Sequence, residues 1–167
     1  MSRGLQWFVG LVTAIFIVVG VLLFLVRSHD GPMEILSGGP LKTGELVSGV
    51  TDWEFINQFK TIELQTMQPP RSRTMWLVVH DNRMFVLSSY MNTHFGKLWK
   101  QWPRRVAEDN RALVRADGKL YELQLVRHLK GEFIQPVLDR FNEKYHRQYS
   151  PQELEKGNAW LFELTAR

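Results

Sequence analysis

The sequence predicts a mainly β chain with accessory helices, an α+β domain built on a small, partly open six-stranded β-barrel behind a single N-terminal transmembrane helix. Three observations carry this. Residues 5–26 are uncharged, six later segments alternate or run apolar at strand length, and the tight-turn sequences "HDN" and "DG" each sit between two of them.

The first element is "LQWFVGLVTAIFIVVGVLLFLV", Leu5 to Val26. At about 1.5 Å per residue it reaches roughly 33 Å, enough to cross a bilayer core. A cleaved signal peptide is the rival reading, with Met1, Ser2 and Arg3 as its charged start. The run exceeds the usual apolar core of about 7–15 residues, and "VRSHDGP" offers no small-x-small cleavage site. An uncleaved anchor fits better. Trp7 and Arg27 suit the two interfaces, and Arg3 with the amino terminus favours a cytoplasmic N-terminus, leaving the soluble domain periplasmic or extracellular. The chain then divides into an anchor at 1–30, a Gly/Pro-rich tether at 31–50 and a barrel domain at 51–167.

Residues 31–167 hold 19 Lys and Arg against 16 Asp and Glu, so any electrostatic signal must be local. With no cysteine there is no disulfide, thiolate metal site or cysteine nucleophile. The glycines and prolines of "HDGPMEILSGGPLKTGELVSGV" recur too often for a regular element; it reads as a tether that packs on the domain. In "TDWEFINQF", Asp52 begins a short capped turn anchored by Trp53, Phe55, Ile56 and Phe59.

Strands are expected at 61–66, 74–79, 83–89, 112–116, 119–128 and 159–166. Hairpins at "HDN" and "DG" exclude an all-parallel α/β fold, because parallel neighbours need crossovers of a dozen or more residues. In the segment 131–147, Phe133, Ile134, Val137, Leu138, Phe141 and Tyr145 recur at helical spacing, with Pro136 tolerable only near the helix start. That stripe should cover an open side of the sheet. "GKLWKQWPRR" reads as a short helix ending at Trp102, with Leu98, Trp99 and Trp102 inward, Lys100 outside and Pro103 as its stop.

Common enzyme motifs are absent: there is no G-x-S-x-G elbow, no G-x-x-x-x-G-K-[ST] loop and no H-E-x-x-H helix. His29, His80, His94, His128 and His146 show no ligand spacing, so no metal is expected. Glu108 and Asp109 are adjacent and diverge on a helix, while Glu63 and Glu122 read as solvated strand charges.

A cationic cluster is more informative. Arg71 and Arg73 precede one predicted strand, Ser88 and Ser89 end its hairpin partner, and Lys97 follows a short loop. Antiparallel neighbours bring a strand's start beside its partner's end, so these residues converge on one corner. They form either surface charges at strand ends or a site where arginine, lysine and hydroxyl donors hold a phosphate or carboxylate. For the stretch around Lys97, helix packing, phosphate gripping and contact with a membrane surface or nucleic acid all stay open, with packing the plainest.

The run "RTMWLVVHDNRMFVLSSYMNTHFGKLWKQW…RALVRADGKLYELQLVRH" resembles the split-barrel flavin-binding superfamily of pyridoxamine phosphate oxidase and its relatives, over roughly residues 38–128. "GGPLKTGELVSGVTDWEFINQFKTIELQT" is similar to the opening of one uncharacterised branch. The resemblance implies a split barrel that forms a homodimer and holds FMN at the subunit interface, or in some branches a deazaflavin or haem. It places Arg73, Ser88, Ser89 and Lys97 at positions that contact the flavin phosphate, with Arg71 nearby. Two functions follow as expectations. One is a membrane-tethered oxidoreductase with an FMN-like cofactor. The other is an accessory subunit of a membrane complex that binds no cofactor. Neither involves nucleic acid, and the lipid bilayer is a partner of residues 5–26 in both.

Overall fold

In the computed structural model, which describes residues 2–33 and 36–167, the uncharged run forms one helix, α1 (Arg3–Ser28). The Ser2 hydroxyl accepts from the Leu5 N–H to cap its start, and none of its residues is buried. By length and composition α1 can cross a membrane.

Seven strands follow: β1 (Glu45–Val47), β2 (Thr61–Met67), β3 (Pro70–His80), β4 (Arg83–Ser88), β5 (Arg111–Ala116), β6 (Lys119–His128) and β7 (Trp160–Ala166). The order β6-β5-β2-β3-β4-β7 closes on itself through a β6–β7 pairing, giving a six-stranded antiparallel barrel. β6 is long enough to serve two neighbours on one edge. Its second half pairs with β7 from Leu123 onward, and its first three residues pair in parallel with β1. The sequence reading has no strand in the tether; β1 forms because Gly44 turns at φ 135° and lets the Glu45 N–H reach the Gly118 carbonyl at 3.0 Å.

Both tight turns sit where the sequence places them. Asp81 and Asn82 have φ of 51° and 58°, and Asp117 and Gly118 have 51° and 70°, the paired left-handed conformations that match the twist of antiparallel strands. β3 starts earlier than expected. A two-residue turn at Gln68 and Pro69 lets Pro70 pair with Met67, so Arg71 and Arg73 lie inside the strand and not ahead of it.

The barrel wall has two cores. Ile62, Leu64, Leu77, Val79, Met84 and Val86 point inward, while Val78, Phe85, Leu87 and Leu161 point outward under a helix. Burial on both faces explains why β3 and β4 read as continuous apolar runs. The covering helix is α4 (Ile134–Tyr145), whose buried stripe is Ile134, Val137, Leu138, Phe141 and Tyr145. Pro136 falls in its first turn, where its missing N–H costs nothing. A single 3-10 turn (Glu54–Gln58), started by Asp52 accepting from the Glu54 N–H at 2.9 Å, buries Ile56 at one end of the barrel.

Tyr145 does more than pack. β2 begins at Thr61, opposite Trp76, so Leu77 on β3 has no β2 partner beyond it. The Tyr145 hydroxyl fills the gap: it accepts from the Leu77 N–H at 3.0 Å and lies 2.7 Å from the carbonyls of Leu77 and Lys60. Burial pushes its pKa up to about 12. Its ring stacks on Trp76 at 4.6 Å. Tyr145→Phe keeps the stack but strands a buried N–H, so urea unfolding should show a loss of about 1–3 kcal/mol.

Between β4 and β5 the expected single helix is two. α2 (His94–Trp99) is capped by Thr93, whose hydroxyl accepts from the Gly96 N–H at 2.9 Å; α3 (Trp102–Arg105) starts after a break at Lys100. Pro103 does not stop a helix; it is the second residue of α3, where no N–H is needed. The break also redirects the side chains. Leu98 and Trp99 are 78% and 59% exposed and Trp102 only 9%, while Lys100 turns toward the barrel. The inward stripe predicted from a continuous helix therefore holds for Trp102 alone. A last helix, α5 (Pro151–Glu155), precedes β7.

Candidate functional site

Alternation along β3 sets up the site. Met75, Leu77 and Val79 face the barrel interior, so Arg73 and Arg71 continue the same series toward the strand's start. On β4, Met84 and Val86 face inward and Ser88 extends that row. Leu77 lies opposite Val86, so the chain before Leu77 runs beside the chain after Val86. Arg73 and Ser88 thereby meet at one end of the barrel, opposite the 3-10 turn, and Trp102 closes over them.

The result is a cavity of about 430 Å3 lined by Arg73, Ser88, Ser89 and Lys100, with Trp76, Trp99, Trp102 and Tyr149 among its walls. The Arg73 guanidinium stands 5.0 Å over the Trp102 ring. Its Nη1 is sealed from solvent and has no hydrogen-bond partner. Burial, with the nearby Arg105 charge, pushes the Arg73 pKa down to about 9. Lys100 donates to the Ser89 carbonyl at 2.8 Å, and burial lowers its pKa. The Ser88 hydroxyl, almost fully buried, has only the Met91 sulfur as a partner at 3.4 Å.

Two cations, the hydroxyl-bearing residues Ser37, Thr74, Ser88, Ser89 and Tyr149 and tryptophan walls meet here, and among the described residues no carboxylate lines the cavity. Such a lining favours an anion with an apolar body. Among the described lining residues there is no carboxylate or histidine to form an acid–base pair.

Of the residues singled out in the sequence, Arg73, Ser88 and Ser89 line this cavity and Arg71 and Lys97 do not. Arg71 sits two residues back along the same face, where burial and the charges of Arg27 and Arg105 lower its pKa. Lys97 is exposed on α2. Lys100 occupies the place that the sequence reading gave to Lys97, and it was missed because a continuous helix would point it to solvent. The signal was Pro103, which fits the first turn of a helix better than its end. Among the described residues no group of three His, Cys, Asp or Glu could hold a metal ion.

A closed six-stranded barrel with this cavity at its end defines a split-barrel protein. No family model matches the chain, and no curated protein matches it in sequence. Solved structures do. A conserved hypothetical protein from Mycobacterium tuberculosis is 17% identical, with a TM-score of 0.48 over 68% of this chain and 76% of that one. HutZ, the haem storage protein from Vibrio cholerae, is 15% identical, with a TM-score of 0.44 over 68% and 86%. An FAD-binding protein from Mesorhizobium loti is 9% identical, with a TM-score of 0.38 over 67% and 84%. What those proteins bind is their own property.

Proposed function

We propose that this is a membrane-tethered split-barrel protein that binds an FMN-like cofactor through its phosphate, with α1 in the bilayer and the barrel on the periplasmic or extracellular side. The observation that carries the reading is the buried, unpartnered Nη1 of Arg73, a residue that lines a cavity with no carboxylate among the described residues. A buried cation without an anion is costly, and a phosphate supplies the missing charge and acceptors.

In this reading Arg73 and Lys100 hold the phosphate oxygens and the hydroxyls of Ser88 and Ser89 add donors. The tryptophans exclude water and offer flat apolar surface to a ring. A second cavity of about 520 Å3 shares Ser89 and Tyr149 with the first, giving a ring system room beyond the phosphate end. The bound flavin would supply hydride or single-electron transfer, and the chain would position it. The barrel is proposed to pair with a second copy.

Lys100→Ala should weaken FMN binding about tenfold to a hundredfold, from a charge-assisted contact of about 1.5–3 kcal/mol, while leaving riboflavin binding unchanged. Fluorescence titration of the detergent-solubilised chain with both ligands measures this. Equal affinity of the unaltered protein for riboflavin and FMN would sink the phosphate assignment.

A further inference from the structure

The end of α1 is bonded to the barrel and not left on a loose linker. The Gly39 N–H donates to the His29 carbonyl at 3.2 Å, and Lys42 Nζ donates to the Ser28 carbonyl at 2.9 Å. Asp30 accepts from the Lys42 N–H at 2.6 Å, from the Thr43 hydroxyl at 2.5 Å and from Arg115 Nη1 at 3.0 Å. Against the upward push of burial, these contacts hold its carboxyl down at about 2. One step inward, Gly38 exchanges backbone hydrogen bonds with Ser72 at 3.0 and 3.4 Å, and the Ser72 hydroxyl donates to the Gly39 carbonyl at 2.6 Å. A Cβ on Gly39 would lie 2.4 Å from the Arg27 carbonyl, and one on Gly38 would lie 1.8 Å from the Gly31 carbonyl. Only glycine permits this approach.

Ser72 stands between Arg71 and Arg73, so the helix end is tied to the strand that carries both arginines. Around this join lie Arg27, in the last turn of α1, Arg71 of β3 and Arg105 of α3. Among the described residues none of these three has a carboxylate within 4.0 Å. Arg27 and Arg105 are close enough to Arg71 to lower its pKa, beyond the effect of burial. The cations repel one another, and no described carboxylate pairs with them.

We infer that anionic lipid headgroups fill this cluster, so that the barrel lies against the leaflet where α1 ends, with the start of β3 and α3 facing the bilayer. A spanning α1 puts Arg27 at headgroup level, and the bonded join carries Arg71 and Arg105 to the same level. At about 3.3 Å per residue, the turn at Asp81 then points roughly 30 Å away along β3. This rests on α1 spanning the bilayer and not on a cofactor in the cavity.

The cysteine-free chain permits a direct test. Single variants Ala107→Cys, beside Arg104, and Glu54→Cys, beside the distal turn, are labelled with a fluorophore in the full-length protein. Each is placed in nanodiscs whose lipids carry a headgroup quencher. In discs with roughly a third phosphatidylglycerol, quenching at Ala107→Cys should be about threefold or more above that at Glu54→Cys, and it should fall in pure phosphatidylcholine or high salt. R71Q/R105Q should lower it in the anionic discs. Equal quenching at both positions, or no dependence on lipid charge, would overturn the inference. Release of the chain by alkaline carbonate would remove the membrane anchor and this inference together, whereas retention without proximity removes the inference alone.

Discussion

Arg73→Met should raise the melting temperature of the ligand-free protein and abolish phosphate-dependent flavin binding at the same time. The guanidinium is buried over Trp102 with Nη1 unpaired, and its depressed pKa has two causes, burial and a like charge at Arg105. Its charged form is therefore disfavoured in the folded state relative to the unfolded one. The sign follows: below the folded value of about 9 the charge destabilises the fold, and only above it does the penalty lift. Arginine keeps its proton at neutral pH, so the strain is relieved by an anion or by removing the charge.

Replacing even a buried ion pair with hydrophobes of similar size is often stabilising by about 1–4 kcal/mol, and a lone buried charge should gain at least the lower end of that, about 1–2 kcal/mol or roughly 2–8 °C for a domain of this size. FMN should raise the melting temperature of the unaltered protein and leave that of Arg73→Met unmoved. Calorimetry in detergent, with and without FMN, reads both effects. A destabilised Arg73→Met protein that still responds to FMN would show that the guanidinium serves the fold and not the ligand.

The second large effect separates two tryptophans that the sequence treats alike. Trp102→Ala should cost about 3–5 kcal/mol, because it opens the end of the barrel core. Its ring packs on Phe162 at 5.3 Å and carries the Arg73 guanidinium on its face. Trp99→Ala should cost less than about 1 kcal/mol, since that ring is 59% exposed, yet it should weaken flavin binding because Trp99 lines the cavity. Urea unfolding and flavin titration of the pair should give opposite rankings. Equal stability losses would return both rings to the core, as a single continuous helix would have placed them.

What the sequence determined by itself was every element whose cause is local. The apolar run of α1, the alternation of the six barrel strands, the Asp-Asn and Asp-Gly turns and the stripe of α4 depend on residues within a few positions of one another. The resemblance of residues 38–128 to split-barrel flavin-binding proteins was legible for the same reason. The tertiary structure decided what joins distant residues. Closure pairs Leu123 with Ala166, β1 pairs with β6 more than seventy residues away, and Tyr145 completes the bonding of Leu77. It also decided which cations meet. Arg73 enters the cavity because inward alternation continues past Met75, and Lys100 replaces Lys97 because the chain breaks between two short helices. A helical stripe reports a side chain's direction only while the helix is unbroken, and a break turns every later residue by an angle that only its packing partners set.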